Sequence, residues 1–255
     1  MTAPWPGTAV MTGASRGIGR ALAVGLAQRV ERVVLLGRDV EGLRETAAGC
    51  ACAKVEVLTT DLGDRLARGR AFAEVARLEP SYLVHAAGDG LPARVGEIDL
   101  AELGRLFEVN CASFVELVQA TVPAMTARGF GRILAVGSLA PLRPQPFSIP
   151  YTATKAALRA TVQSLAVEVV SAGILVNMVS PGGVATRLGE TGRTMYQRLG
   201  DRYPQVARAA RAGHLPAGGS VDPADVARAA MLLLDPDNRV VSGQDLVVAG
   251  TQVMR

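Results

Sequence analysis

The sequence predicts an α/β fold in one domain, a doubly wound parallel β-sheet flanked by helices on both faces. Three observations carry this expectation. Short apolar runs alternate along the chain with longer helical stretches. The strongest of these runs are apolar throughout, as strands covered on both faces are. The chain has 255 residues, 49% of them hydrophobic, which suffices for one large core. No linker or shift in composition divides it, so a single domain over residues 1–255 is expected.

The elements follow in order. A first strand at Thr8–Thr12 leads through a glycine-rich turn into a helix over Ile18–Arg29. Arg32–Gly37 is a continuous apolar strand, followed by a helix at Val40–Ala48 and a strand at Lys54–Leu58. A helix over Asp64–Leu78 and a strand over Tyr82–Ala86 repeat the unit. One long helix from about Leu100 to Ala127 precedes the strand Arg132–Val136. A second, Tyr151–Ser171, is closed by Gly173, the residue type favoured just past a helix end. After the strand Leu175–Val179, Asp222-Pro223-Ala224-Asp225 starts a helix that runs through Met231–Leu234. There Asp222 can cap, Pro223 suits the first helical position and Asp225 complements the positive helix end. The last strand is Asp245–Val248.

Composition excludes several function classes. The longest apolar runs, such as Val33–Leu36 and Met231–Leu234, fall far short of the ~20 residues of a membrane span. The segment MTAPWPGTAVMTG lacks a basic region followed by an apolar one, so no secretory signal is expected. The net charge is +4, yet only Lys54 and Lys155 among the 27 basic residues are lysines, and the arginines are scattered. Scattered arginine gives no electrostatic footprint, so nucleic-acid binding is not expected. Cys50 and Cys52 are too close for a CxxC site and Cys111 is remote, which reads as reduced thiols, no metal site and a cytoplasmic place.

Thr12-Gly13-Ala14-Ser15-Arg16-Gly17-Ile18-Gly19 lies between an expected strand and an expected helix. Glycines there allow a tight turn and let backbone N–H groups approach a pyrophosphate at the positive helix end. Its spacing is TGxxxGxG. Further on, Tyr151-Thr152-Ala153-Thr154-Lys155 reads YxxxK, Ser138 stands thirteen residues before Tyr151 at a strand end, and Asn110 lies in the long helix. Pro181-Gly182-Gly183-Val184-Ala185-Thr186 reads PGxVxT, and Asp61-Leu62 follows the third strand. In this combination and order, over nearly the whole chain, the sequence resembles the classical short-chain dehydrogenase/reductase family.

The resemblance implies a single Rossmann domain, a nicotinamide dinucleotide and a catalytic set of Asn110, Ser138, Tyr151 and Lys155. It places Gly13, Ser15, Arg16, Ile18 and Gly19 among the cofactor-binding residues, with the glycine turn at the pyrophosphate, and Asp61 and Leu62 by the adenine. Ala87, Gly88, Tyr151, Lys155, Pro181, Gly182, Val184 and Thr186 complete the cofactor side. Two positions depart from the family pattern. Its NNAG is His85-Ala86-Ala87-Gly88 here, without either amide, and its terminal DGG is Ala249-Gly250-Thr251. His85 reads as a packing substitution rather than a base.

The chemistry of these side chains agrees with that set. Tyr151 and Lys155, four apart on a helix, project from one face. A nearby ammonium favours the phenolate, so the phenol can give a proton to a carbonyl oxygen or take one from an alcohol. Ser138 would bind the same oxygen, and Asn110 would, by the resemblance, hold a water linking Lys155 to solvent. Arg38 just past the second strand and Arg16 in the turn favour the 2′-phosphate of NADP. Asp39, one residue on, keeps NAD open. NADP(H) and reduction of a ketone are the leading expectation. An NAD-dependent alcohol dehydrogenase and a non-catalytic NADP-binding regulatory or structural subunit are the alternatives.

The segment 187–221 corresponds to the family's substrate lid. It carries Arg187, Arg193, Arg198, Arg202, Arg208 and Arg211 against Glu190 and Asp201, and also His214. Either this charge attracts an anionic substrate or the segment is a solvated flap. In pattern the chain is nearest the ketoreductases that include 3-oxoacyl-carrier-protein reductase. Arg128 and Arg132 match the basic edge beside their carrier-protein site, while Val170-Ser171-Ala172 lacks a typical arginine. The proline-rich Pro141–Pro146 suggests a specialised carbonyl substrate, in secondary-metabolite or acyl-chain biosynthesis. The two long helices are expected to form a homotetramer interface through Phe114, Leu117, Val118, Leu158, Val162 and Leu165. A dimer is the simpler alternative.

Overall fold

The structure is a computed structural model, and it describes residues 5–51, 54–184 and 221–250. Its strands are β1 (Trp5–Thr12), β2 (Val30–Gly37), β3 (Lys54–Thr59), β4 (Tyr82–His85), β5 (Gly131–Val136), β6 (Ile174–Pro181) and β7 (Asp245–Val248). They form one parallel sheet in the order β3-β2-β1-β4-β5-β6-β7. The order reverses between β1 and β4, so the loops after those two strands diverge and open a crevice at the strands' carboxyl ends.

The helices are α1 (Gly17–Ala27), α2 (Val40–Ala48), α3 (Arg65–Arg77), α4 (Leu100–Phe107), α5 (Ser113–Arg128), α6 (Ile149–Val169) and α7 (Pro223–Leu234). Aspartates cap four of them. Asp39, Asp64, Asp99 and Asp222 accept backbone N–H groups at the starts of α2, α3, α4 and α7. Successive strand residues feed opposite faces, which is why the strands are apolar throughout. Met11, Val33 and Leu35 pack with Leu22 and Leu26 of α1 and Val226 and Leu234 of α7. Val10, Val34 and Leu36 pack on the other side with Phe72 and Val75 of α3, Phe114 and Leu117 of α5 and Leu158 of α6.

Three expectations change. The long helix expected from Leu100 to Ala127 is two helices joined by a π turn at Glu108–Ala112. Residue spacing does not register one widened turn, because apolar positions resume on both sides of it. The face expected to meet another subunit belongs instead to the chain's own core. Phe114, Leu117, Val118, Leu158 and Val162 are buried there, and Leu165 packs against them. Burying such a side chain contributes about 1.5–3 kcal/mol, so these residues serve the fold directly.

Arg132 does not stand on a basic edge either, whereas Arg128 is exposed. Arg132 is buried, and its guanidinium donates to the carbonyls of Gly131, Pro236 and Asn238 at 2.9, 2.9 and 2.7 Å. Arg128 donates to Glu79 O at 2.7 Å and Ser81 Oγ at 3.1 Å. Both satisfy backbone at the amino ends of the strands, which a charge count cannot distinguish from a docking surface.

Candidate active site

The crevice is built around the glycine-rich turn. Gly13 has φ +68°, a backbone that favours glycine, and a Cβ on it would lie 2.5 Å from Ala87 N and 2.7 Å from Ala86 C. A Cβ on Gly19 would meet Gly13 O at 2.1 Å. The turn is therefore pressed between the start of α1 and the loop after β4. Arg20 donates to Ser15 O and Gly42 O, and Thr46 Oγ1 donates to Ala14 O at 2.9 Å. These bonds turn the carbonyls of the loop toward α2. At the start of α1 the N-cap position, Arg16, gives no side-chain cap. The first N–H groups of α1, around Ile18 and Gly19, thus suit an anion, and the cradle fits the pyrophosphate of a dinucleotide.

The next group lies beyond β2 and β3. Arg38 Nη1 is 3.7 Å from a carboxylate oxygen of Asp61, with both side chains partly exposed. Asp39 Oδ1 accepts Gly42 N at 3.0 Å. The acid that kept NAD open is thus turned into the start of α2, leaving Arg38 as the side chain beside the strand end. Leu62 is buried, and Gly63 N donates to Asp61 Oδ1 at 2.8 Å.

At the end of β4, His85 is fully buried against Phe114, and its Nδ1 lies 3.0 Å from Thr12 Oγ1. Thr12 Oγ1 also accepts Ala87 N at 3.3 Å. The imidazole thus ties the two strands that flank the crevice. Burial, with the charge of Lys155 adding to it, pushes His85 down to about 3. The imidazole is kept neutral, and besides packing on Phe114 it is a hydrogen-bonding group.

The helix residues converge on Gly88. A Cβ there would lie 3.1 Å from Lys155 Nζ and 3.5 Å from Asn110 Oδ1. Lys155 is buried, its ammonium donates to Val136 O at 3.0 Å, and burial lowers it to about 8. Asn110, carried by the π turn, is fully buried. It donates to Asp89 O and Thr154 Oγ1, both at 2.9 Å, and accepts Asp89 N at 2.8 Å. Tyr151 stands half-buried in the first turn of α6, one turn before Lys155.

Ser138 follows β5. Its Oγ accepts Ala140 N at 3.1 Å, and Leu139 N donates to Pro181 O at 3.1 Å. Gly182 N donates to Val248 O at 3.0 Å, and Val184 pairs with Val221. Thr186, most of the expected lid and His214 lie outside the described residues. Before Tyr151, Phe147 has φ +63°, rare for a bulky residue. Its carbonyl accepts Ala93 N at 2.9 Å, and the Arg94 guanidinium lies 5.5 Å from its ring. The segment just before α6 is thereby joined to the loop after β4.

A family model described as enoyl-(acyl carrier protein) reductase matches residues 13–250. The chain belongs to the short-chain dehydrogenase/reductase family. It is 31% identical over 244 residues to carbonyl reductase family member 4 of Danio rerio, covering 95% of this chain and 96% of that one. A glycine betaine reductase of Emericella nidulans is 32% identical over 244 residues, 94% of this chain; the chain spans only 18% of that relative's length. A solved variant of the actinorhodin polyketide ketoreductase with NADPH superposes with a TM-score of 0.86 at 25% identity, over 98% of both chains. The family membership makes this an oxidoreductase fold for carbonyl and alcohol groups with a nicotinamide cofactor.

Sequence reasoning missed three supports of this site. Thr154 and Asp89 hold Asn110, and Thr12 holds His85. Thr154 sits inside the YxxxK stretch and Asp89 directly follows Gly88, so proximity to the motifs was the available signal. Among the described residues no group of His, Cys, Asp and Glu could hold a metal ion, and no helix is long and apolar enough to cross a membrane.

Proposed function

We propose that the chain is an NADPH-dependent ketoreductase in which Tyr151 gives the proton. The observation that carries this reading is the buried Lys155, one helical turn from Tyr151 and beside Gly88 and Asn110. A bound dinucleotide would supply the hydride to the carbonyl carbon. Ser138 Oγ binds the carbonyl oxygen, and the Tyr151 hydroxyl passes it a proton as charge develops there. The Lys155 ammonium lowers the cost of the phenolate left behind, and Asn110 keeps the backbone beside it in place.

Gly13, Ser15, Ile18 and Gly19 hold the pyrophosphate, and Asp61 and Leu62 hold the adenine. Arg38 and Arg16 take the 2′-phosphate, and Pro181, Gly182 and Val184 face the nicotinamide. The engagement of Asp39 as a cap supports NADP over NAD. The likeness to a polyketide ketoreductase with NADPH supports the same choice and a carbonyl substrate of acyl-chain or secondary-metabolite type. Residues 187–221 are the lid in this reading, and a cytoplasmic homotetramer is the expected form.

Titrating NADPH and NADH side by side tests the reading. A preference of about tenfold for NADPH, about 1.4 kcal/mol, is expected. Tyr151→Phe is expected to abolish ketone reduction while NADPH affinity stays within about twofold of wild type, since the hydroxyl acts on substrate. Turnover retained in that variant would remove Tyr151 from its role.

A further inference from the structure

Arg68 is the largest side chain in the structure that is fully buried. Its Nε and Nη2 bind both oxygens of Glu116 on α5 at 2.6 Å each, and Nη2 lies 2.7 Å from Glu108 at the start of the π turn. Glu108 is also held by Arg65 at 2.6 Å. Two arginines face two glutamates, so the cluster is neutral. The remaining donor, Nη1, reaches out of the cluster to Leu62 O at 2.8 Å.

Packing α3 on α5 does not require this. A buried ion pair is often replaced by apolar residues of similar volume at no loss of stability. What apolar residues cannot do is donate to Leu62 O. Leu62 lies between β3 and α3, outside any strand or helix, next to the Asp61 that faces Arg38. The guanidinium therefore joins that loop to two anchored carboxylates, one on α5 and one on the π turn.

We infer that Arg68 is a positioning residue for the adenine half of the dinucleotide, acting through the carbonyl of Leu62. The inference rests on the dinucleotide reading above. Arg68 touches no cofactor atom in it; it fixes where the Asp61-Leu62 backbone stands.

The test uses Arg68→Leu/Glu116→Leu, which removes the pair together and leaves Glu108 with Arg65, and Arg68→Lys. Wild type and variants are titrated with 2′,5′-ADP and with reduced nicotinamide mononucleotide, and their melting temperatures are recorded. In the folded double variant 2′,5′-ADP is expected to bind about tenfold more weakly, with the mononucleotide within about twofold of wild type. Arg68→Lys should recover part of the loss, because an ammonium still donates to Leu62 O. Unchanged 2′,5′-ADP affinity in the folded double variant, or a parallel loss of both fragments, overturns the inference. Wild type binding neither dinucleotide nor fragment would instead overturn the dinucleotide reading, and this inference with it.

Discussion

Asn110 holds the Asp89 backbone at both its polar groups, accepting its N–H at 2.8 Å and donating to its carbonyl at 2.9 Å. The π turn at Glu108–Ala112 carries the amide that makes this two-way grip. A carboxamide suits this grip, since it carries a donor and an acceptor side by side. Asp89 is fixed again at its carboxylate by Arg105, at 3.0 Å. The loop after Gly88 is thus set by α4 and the π turn together, one residue from the Lys155 ammonium.

Asn110→Ala strands a buried N–H and a buried carbonyl, each costing about 1–3 kcal/mol when unpaired. A loss of about 3 kcal/mol is expected in chemical unfolding. Ketone reduction should fall even where the variant is folded, because the Gly88–Asp89 backbone moves. Asn110→Asp keeps the acceptor and loses the donor to Asp89 O, so it should not rescue. Wild-type stability in Asn110→Ala would show that the grip contributes nothing.

Arg38 is expected to set cofactor choice, and its neighbour Asp39 is not. In Arg38→Asp an acid replaces the guanidinium opposite Asp61, so a 2′-phosphate would meet two carboxylates. NADPH affinity should drop at least about tenfold with NADH affinity held or improved. Asp39→Ser keeps a capping oxygen at the start of α2 and should leave the preference where it was. Calorimetric titration of both variants with both dinucleotides reads the difference. A shift in Asp39→Ser equal to that in Arg38→Asp would mean that the helix start, not the arginine, discriminates.

Lys155 should not tolerate arginine. Its Nζ sits within 3.1 Å of the place a Gly88 side chain would occupy, and it donates to Val136 O. A planar guanidinium is too large for that space and stays protonated, whereas burial brings the ammonium to about 8. Lys155→Arg is expected to lower turnover by about 10²-fold or more, the usual worth of a proton-transfer group. Near-normal turnover would reduce Lys155 to a charge that any cation supplies.

Much of this was legible in the chain because parallel strands leave continuous apolar runs and the TGxxxGxG, YxxxK and PGxVxT spacings survive intact. Met11 and Val33 announce a strand whatever packs on them. What was hidden depends on partners remote in sequence. Phe114 and Leu158 look the same whether they face another subunit or the chain's own sheet, and only the packing of α5 and α6 decides. Arg132 counts as a surface charge until the carbonyls of Pro236 and Asn238 are seen to converge on it. Arg68, in a stretch of arginines, carried no sign that it alone would be buried.

His85 makes the chain's stability depend on acid in a specific window. In the folded protein its imidazole is held near 3, while in the unfolded chain it returns to its ordinary value of 6.5. As pH falls through 6.5 the unfolded chain takes up a proton that the folded chain refuses, so stability is present above that pH and is lost progressively toward 3. At pH 5 the loss is about 2 kcal/mol from this residue alone. The groups that face it reinforce the sign. Lys155 is a cation in this range, Thr12 and Phe114 do not titrate, and none offers an anion to stabilise an imidazolium. Comparing wild type with His85→Asn at pH 7.5 and pH 5 isolates the effect, because the amide can still bond Thr12 and does not titrate. The stability difference between the two proteins should shift by about 2 kcal/mol in favour of His85→Asn on acidification. A difference that does not move between those two pH values would mean that the imidazole gains its proton inside the fold, with its unpartnered Nε2 finding an acceptor when the chain is acidified.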